Sequence, residues 1–400
     1  MGMGVAIAIA IVLLLVGLGG GYVLGSSLNK SSSSSTQIQL TETGSSLLYP
    51  LMKSWGPNYT AYNPNVVLSP ASTGSGTGQS YAESGLVNIG ASDGYLANAS
   101  QTNLINLPVA FSAQLVYYNL PGISAHLNLN GTVLAMIYGG AITAWNDPLI
   151  LNAQPPAVQG ELNNLSSKTI YPIKRSDSSG DTFLFSSLCY MSWSGWTYGY
   201  STSALSGSSW TGATGNSGVV AALQKQTNSI GYVGISYEST ATGLTYAAVG
   251  DNNTLASGTW PAHAADYVLP SATNVSSDAN LGLTHLQFSQ YQLAVSLILG
   301  GSPAGAINLT HGGGGTAPAA GTSPYPLVNL EYTLIKTAPV GNTVTSSALA
   351  ATVLFLQWAI SYGNFAPSGV PSSYIDLVNF IPLTSAVIGL DQQELAAVQA

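Results

Sequence analysis

Charge is scarce in this chain. Asp, Glu, Lys and Arg make up 6% of its 400 residues, where an ordinary soluble domain carries about a quarter. It has one arginine, Arg175, and one cysteine, Cys189. A lone cysteine excludes an intrachain disulfide and a cysteine-rich metal site. The four histidines, His126, His263, His285 and His311, follow no metal-ligand spacing and read as surface or core residues. The glycine runs lack the Gly-Lys-Ser/Thr of a nucleotide-binding loop, which argues against ATP hydrolysis. A formal net charge of −8 argues against non-specific nucleic-acid binding.

What the chain does contain points to a packed protein. Hydrophobic residues make up 46% and there are 22 tyrosines, beside abundant Gly, Ser, Thr and Asn. The length allows two or three domains and a large core. A polar, uncharged surface changes little with pH, so a strongly acidic exterior fits, with equal stability expected at pH 3 and pH 7.

Residues 5–25 are almost wholly apolar, long enough for a membrane-spanning helix. A secretory signal is the alternative, and the preceding flank lacks Lys and Arg. A Ser-rich tether, 26–37, follows. Either reading puts the remainder outside the cell, at the surface or in a periplasm-like space. Sequons at Asn58, Asn98, Asn130, Asn164, Asn252, Asn274 and Asn308 are candidate glycosylation sites.

Beyond the tether, apolar runs alternate with helical patterns. Strands are expected at 38–40, 66–68 and 87–91, with helices after Ser46 and near 79–84. This βαβαβ rhythm implies a parallel sheet with right-handed crossovers. An extended run at 107–119 reads as a crossing between lobes. Helices are expected at 133–138, 182–190, 219–226, 348–362 and 392–400, and strands at 169–173, 230–236 and 325–337. Phe183, Leu184, Ser187 and Leu188 are expected to face inward. Trp55, Trp145 and Trp358 read as core.

Four loops stand at strand ends: Gly44-Ser45-Ser46-Leu47, Gly74-Ser75-Gly76-Thr77-Gly78, Gly90-Ala91-Ser92-Asp93, and Arg175 to Asp181. Open α/β sheets bind ligands at the carboxyl ends of their strands. Three of the loops precede helices, whose amides and dipole favour an anion. Arg175 adds a planar fork of donors that matches an oxyanion. Asp93 would repel an anion unless the ligand carries a proton for it to accept. Asp177 is placed to orient Arg175 by an ion pair, and a purely structural Arg175–Asp177 pair is the alternative.

In this order the segments resemble the phosphate-binding proteins of ABC phosphate importers. They are Leu40-Thr41-Glu42-Thr43-Gly44-Ser45-Ser46-Leu47 with Trp55 downstream, Gly74-Ser75-Gly76-Thr77-Gly78, and Val87-Asn88-Ile89-Gly90-Ala91-Ser92-Asp93. Then follow Ile142-Thr143-Ala144-Trp145-Asn146-Asp147, Lys174-Arg175-Ser176-Asp177-Ser178-Ser179-Gly180-Asp181-Thr182-Phe183, Gly215-Asn216-Ser217-Gly218-Val219 and Ser229-Ile230-Gly231-Tyr232-Val233. The resemblance implies an α/β, two-lobed, periplasmic-binding-protein-like fold (type II) with hinged lobes, here behind an N-terminal hydrophobic helix. Lobe I would take 38–115 and 325–400, and lobe II 116–324. Inorganic phosphate would be held between the lobes by the Ser46 hydroxyl, the Leu47 amide, Ser75, Asp93, Arg175, Ser179 and the amides of Gly180 and Asp181. Two residues depart from the family pattern. Leu47 stands where Phe is usual, and Asp181 where a Thr is usual. Asp181 reads first as a helix-start acid that turns away, caps its helix or carries a proton.

The expectation is therefore a non-enzymatic, extracytoplasmic phosphate receptor without cofactor or metal. Its partners would be ABC permease subunits, with the membrane reached through residues 5–25. A self-assembling sheath or filament protein on the same fold is the alternative. A phosphatase would need a metal cluster or an activated nucleophile, and neither is visible.

Overall fold

The computed structural model describes residues 37–96, 99–250, 267–271, 275, 325–363 and 373–400. The expected anchor and most of the tether lie outside them, as do Asn98, Asn252, Asn274, Asn308, His263, His285 and His311. Among the described residues no helix is long and apolar enough to cross a membrane.

Strand β1 (Ile38–Gly44) leads through a turn to α1 (Tyr49–Tyr62), β2 (Val66–Ser72), α2 (Ser75–Glu83) and β3 (Ile89–Ser92). β1 lies between β2 and β3 and runs parallel to both. This is the rhythm expected from the sequence. Leu51, Met52, Trp55 and Tyr59 bury one face of α1, and Pro50 sits in its first turn, where the missing N–H is harmless.

β4 (Leu104–Asn119) is the long extended run. Next come β5 (Asn128–Asn130), α3 (Gly131–Tyr138), the short α4 (Pro148–Leu151) and α5 (Pro156–Asn163). A second run follows: β6 (Tyr171–Arg175), α6 (Gly180–Ser192), β7 (Thr211–Ala213), α7 (Gly215–Lys225) and β8 (Ser229–Gly234). β6 lies parallel between β7 and β8. Further strands are β9 (Thr245–Tyr246), β10 (Ala248–Gly250), β11 (Tyr267–Val268) and β12 (Val328–Lys336), followed by α8 (Ser346–Ser361) and α9 (Ser385–Ala396).

The larger sheet has the order β2-β1-β3-β12-β4-β8-β6-β7, with β9 also on β4. β4 joins its two halves. Residues 104–113 pair with β12 and residues 114–119 pair with β8. Along β4 every residue but the last is buried, as expected of a strand covered on both faces. The carboxyl ends of β1, β3 and β6 consequently meet at one place.

The expected tryptophans are core. Trp55 and Trp145 are fully buried and bond the carbonyls of Gly363 and Asn228 at 2.9 and 3.1 Å, and Trp358 packs on Tyr59. Three local readings need correction. Ser46 does not cap α1: Leu48 stands at its N-cap position without a side-chain bond, and Ser45 Oγ holds the preceding turn by accepting the Leu48 amide at 2.9 Å. The last helix begins at Ser385, where the Thr384 hydroxyl caps it, seven residues earlier than the apolar pattern implied. Phe183 is only half-buried, and Phe185 takes the inward place against Tyr232.

Asn130 is also corrected as a glycosylation candidate. Its side chain is fully buried, and Oδ1 caps α3 by accepting the Val133 amide at 2.9 Å. An enzyme could not reach that nitrogen without unfolding the helix start. Asn58 is half-buried and donates to the Ser54 carbonyl at 2.8 Å, and Asn164 is exposed.

Candidate functional site

The residues singled out from the sequence converge. Ser46, Leu47, Ser75, Asp93, Arg175, Ser179, Gly180 and Asp181 are all buried where β1, β3 and β6 end. Arg175, the last residue of β6, is 3% exposed. Its Nε donates to Asp177 Oδ1 at 2.8 Å and its Nη2 to Asp177 Oδ2, so one edge of the guanidinium is clamped bidentately. Nη1 donates to Asp181 Oδ2 at 2.6 Å. Burial works against the charge, but Asp177, Asp181 and Asp93 outweigh it and hold Arg175 above its ordinary range. For Asp177 burial opposes ionisation too, yet Arg175 and the Gly215 amide hold its carboxyl below the usual range. A guanidinium has five N–H donors, so donors remain for an oxyanion.

Asp93 follows β3 directly. Its Oδ1 accepts from Ser45 Oγ and its Oδ2 from Ser75 Oγ at 3.1 Å. Ser75 Oγ also accepts the Asp93 amide at 3.3 Å, so the carboxylate is fixed to the start of α2.

Asp181 does not turn away. Its Oδ2 takes Arg175 and, at 2.8 Å, Asn216 Nδ2, while Oδ1 accepts Gln114 Nε2 at 3.2 Å. Burial and the neighbouring Asp93 charge push its carboxyl up to about 7, against the opposing pull of Arg175, Asn216 and Gln114. Of the expected alternatives, this supports a carboxyl that holds a proton near neutral pH.

Three helices begin here without a cap from the side chain just before them: α2 after Gly74, α6 after Ser179 and α7 after Thr214. The first amides of α7 are taken by Asp177 Oδ1 and Ser46 Oγ, so the starts of α2 and α6 are the ones that turn amides and a positive dipole end to a ligand. The Ser179 hydroxyl is fully buried and finds no partner among the described residues. Gly180 is required by contact, because an added Cβ would collide with Asp93 Cβ and lie 2.8 Å from its Oδ2. We expect Gly180→Ala to lower the melting temperature by the equivalent of about 1–3 kcal/mol of overpacking. An unchanged melting curve would refute this close approach.

The residue runs before and after β4 interlock. Ser46 Oγ accepts Asn216 N and Nδ2 at 3.2 and 3.0 Å, the Gly76 amide reaches the Ser178 carbonyl at 3.0 Å, and Ser236 Oγ reaches the Leu47 carbonyl at 2.8 Å. Sequence reasoning missed Ser45, Gln114, Asn216 and Glu331. Ser45 adjoins the chosen serine, and Asn216 lay inside a quoted segment without an assigned role. Glu331 had a signal of its own, an acid in the middle of a strand with no exposed residue. Among the described residues no histidine belongs to the cluster, and no group of His, Cys, Asp or Glu is arranged to hold a metal. The arrangement offers hydroxyls, amides and one guanidinium to an oxyanion, and a carboxylate to its proton.

Comparison with known proteins agrees. A family model described as a PBP superfamily domain matches residues 29–361. The phosphate-binding protein PstS of Xylella fastidiosa strain 9a5c is 30% identical over 260 residues, covering 62% of this chain and 67% of the relative. The phosphate-binding protein PstS of Pasteurella multocida is 35% identical over 211 residues, covering 50% and 58%. Among solved structures, a phosphate-binding protein from Stenotrophomonas maltophilia aligns with TM-score 0.57 at 19% identity, over 89% of this chain and 93% of its own. A high-affinity periplasmic phosphate-binding protein, PfluDING, bound with phosphate, aligns with the same TM-score and identity, over 88% and 92%. At these identities the structural likeness shows the fold, which is mixed α/β and two-lobed.

Proposed function

The chain belongs to the PBP superfamily and, within it, to the phosphate-binding proteins, and from that premise we propose that it is an extracytoplasmic receptor that binds inorganic phosphate for an ABC importer. The observation that carries the reading is the burial of Arg175 beside the starts of α2 and α6, with Asp93 beside it as the acceptor. Phosphate oxygens take the remaining Arg175 donors, the Ser179 hydroxyl, and the amides of Leu47, Ser75, Gly180 and Asp181, while the Ser75 hydroxyl proton stays on Asp93. Asp93 accepts the phosphate proton. Sulfate, fully deprotonated, has nothing to donate and meets a like charge.

Lobe I spans 38–115 and 325–400 and lobe II spans 116–324. The change of partner along β4, from β12 to β8 at residues 113–114, supports this division. Hinge motion between the lobes opens and closes the cleft, and the bonds of Asn216 to Ser46 and of Gly76 to Ser178 belong to the closed state. A membrane anchor in residues 5–25, followed by the tether 26–37, would keep the receptor near its permease. Asp181 tunes the site to pH. Once protonated, it no longer repels the anion, so phosphate binds more tightly below pH 7 than above it.

Calorimetry of the full chain with phosphate and with sulfate, at pH 5 and pH 8, tests the reading. Phosphate should bind at both pH values and sulfate about a hundredfold more weakly, the discrimination of roughly 3 kcal/mol expected from an unpaired buried carboxylate. Equal binding of the two anions would remove Asp93 as acceptor. Absence of phosphate binding would remove the function.

A further inference from the structure

β12 lies antiparallel to β3, with Tyr332 opposite Ser92 and Thr333 opposite Ala91. Continued by one residue, that register sets Glu331 beside Asp93. Asn329 ties the two together, since its Nδ2 donates to the Asp93 carbonyl and lies 3.4 Å from Glu331 Oε1. Glu331 is fully buried. Its Oε1 accepts from Ser112 Oγ on β4 at 2.6 Å, and its Oε2 has no donor among the described residues.

Among the described residues no cation is paired with this carboxyl. Among the described residues both ion pairs of Arg175 go to Asp177 and Asp181. The nearby-strand lysines are held by backbone oxygens: Lys336 by the Glu83 and Thr102 carbonyls, and Lys174 by those of Leu205, Ser206 and Ser208. The ionisable groups acting on Glu331 are Asp93 after β3 and Asp181 at the start of α6, with the Tyr332 phenol next to it on β12. From β4 it meets only a hydroxyl. An ionised Glu331 would therefore face two carboxylates in a desolvated space, a state that a proton relieves.

Resting on the phosphate reading, we propose that Glu331 is a positioning residue for Asp93: it carries a proton and donates it from Oε2 to the Asp93 carboxylate. Asp93 then receives three protein donors, Ser45, Ser75 and Glu331. A carboxylate has about four lone-pair sites, so about one is left for a ligand proton. The pairing holds Asp93 in place as an acceptor and fixes its plane. Burial, then the Asp93 charge and the hydrogen bond between the two carboxyls, hold Glu331 well above the carboxylate range, with Ser112 opposing.

The test has two arms on the full chain. Infrared spectra of the phosphate-free protein at pH 7 should show a protonated-carboxyl band that E331Q lacks. Glu42 and Asp391, also buried carboxyls, cancel in the difference, and repeating it in the Asp181→Asn background removes the Asp181 carboxyl. In calorimetry, Glu331→Leu should lose at least about tenfold in phosphate affinity, the value of one hydrogen bond to a charged group. E331Q, whose amide still donates, should recover most of that loss and keep the preference over sulfate. No band in the difference spectrum overturns the proposal whatever the ligand. So does an E331Q as impaired as Glu331→Leu, or a Glu331→Leu that binds like the wild type. If the band is present and the wild type takes up no phosphate, the proton on Glu331 stands and the phosphate function falls.

Discussion

Arg175→Ala should weaken phosphate binding by roughly 30-fold or more, because truncating one partner of a buried, hydrogen-bonded charge pair costs about 2–5 kcal/mol. The size follows from the surroundings. Arg175 is the single full positive charge among Asp93, Asp177 and Asp181, and it is buried. Removing it takes away the donors that face the anion and leaves three carboxylates to repel it. Arg175→Lys keeps the charge but not the fork that Asp177 grips with two bonds, so its affinity should fall between alanine and wild type. Both affinities are measurable by calorimetry at pH 7. A loss below tenfold for Arg175→Ala would place the anion elsewhere.

The second large effect concerns stability against pH. Burial pushes Glu42 up to about 8, with a backbone hydrogen bond at Ala71 opposing, and burial with Asp93 pushes Asp181 up to about 7. Both bind a proton more tightly folded than unfolded. Their contribution is thus fully present below the ordinary carboxylate range near 4 and is lost as pH rises through 7 and 8. Each tenfold gain in proton affinity on folding is worth about 1.4 kcal/mol. Asp177 has the opposite sign. Its lowered value contributes stability above the ordinary range and loses it on acidification. Burial holds Glu331 and Asp391 above the carboxylate range as well, so four raised carboxyls against one lowered predict a melting temperature higher at pH 5 than at pH 8.5. Glu42→Gln should flatten that slope up to pH 8, and Asp181→Asn up to pH 7. A melting temperature that climbs from pH 5 to pH 8.5 would contradict the assignment. The scarcity of surface charge alone implied equal stability at pH 3 and pH 7; buried carboxyls change that expectation to a decline toward neutrality.

Much of the first half of the fold was readable because its signals are local. Gly44, Gly74 and Asp93 stand at strand ends, and apolar runs alternate with small-residue loops at short spacing. The Arg175–Asp177 pair was equally plain, since two positions apart at a strand end suffice to bring the groups together. Boundaries erred where chemistry beyond the apolar pattern decided them. Gly180 opens α6 two residues before the hydrophobic period begins, and α2 starts at Ser75 among glycines of low helix propensity. Asn130 looked like a sequon because three letters carry no burial.

Composition, order of motifs and the lone guanidinium thus determine the class of ligand, since oxyanion chemistry needs those residue types at strand ends. How the carboxyls share protons is another matter. Asp181 could turn aside, cap its helix or enter the cluster, and only the packing of Asn216 and Gln114 against it makes the choice. Glu331 meets Asp93 through an antiparallel pairing between strands far apart in the chain. Contacts of that kind depend on register and burial, which arise when the sheet assembles and which no local stretch of residues encodes.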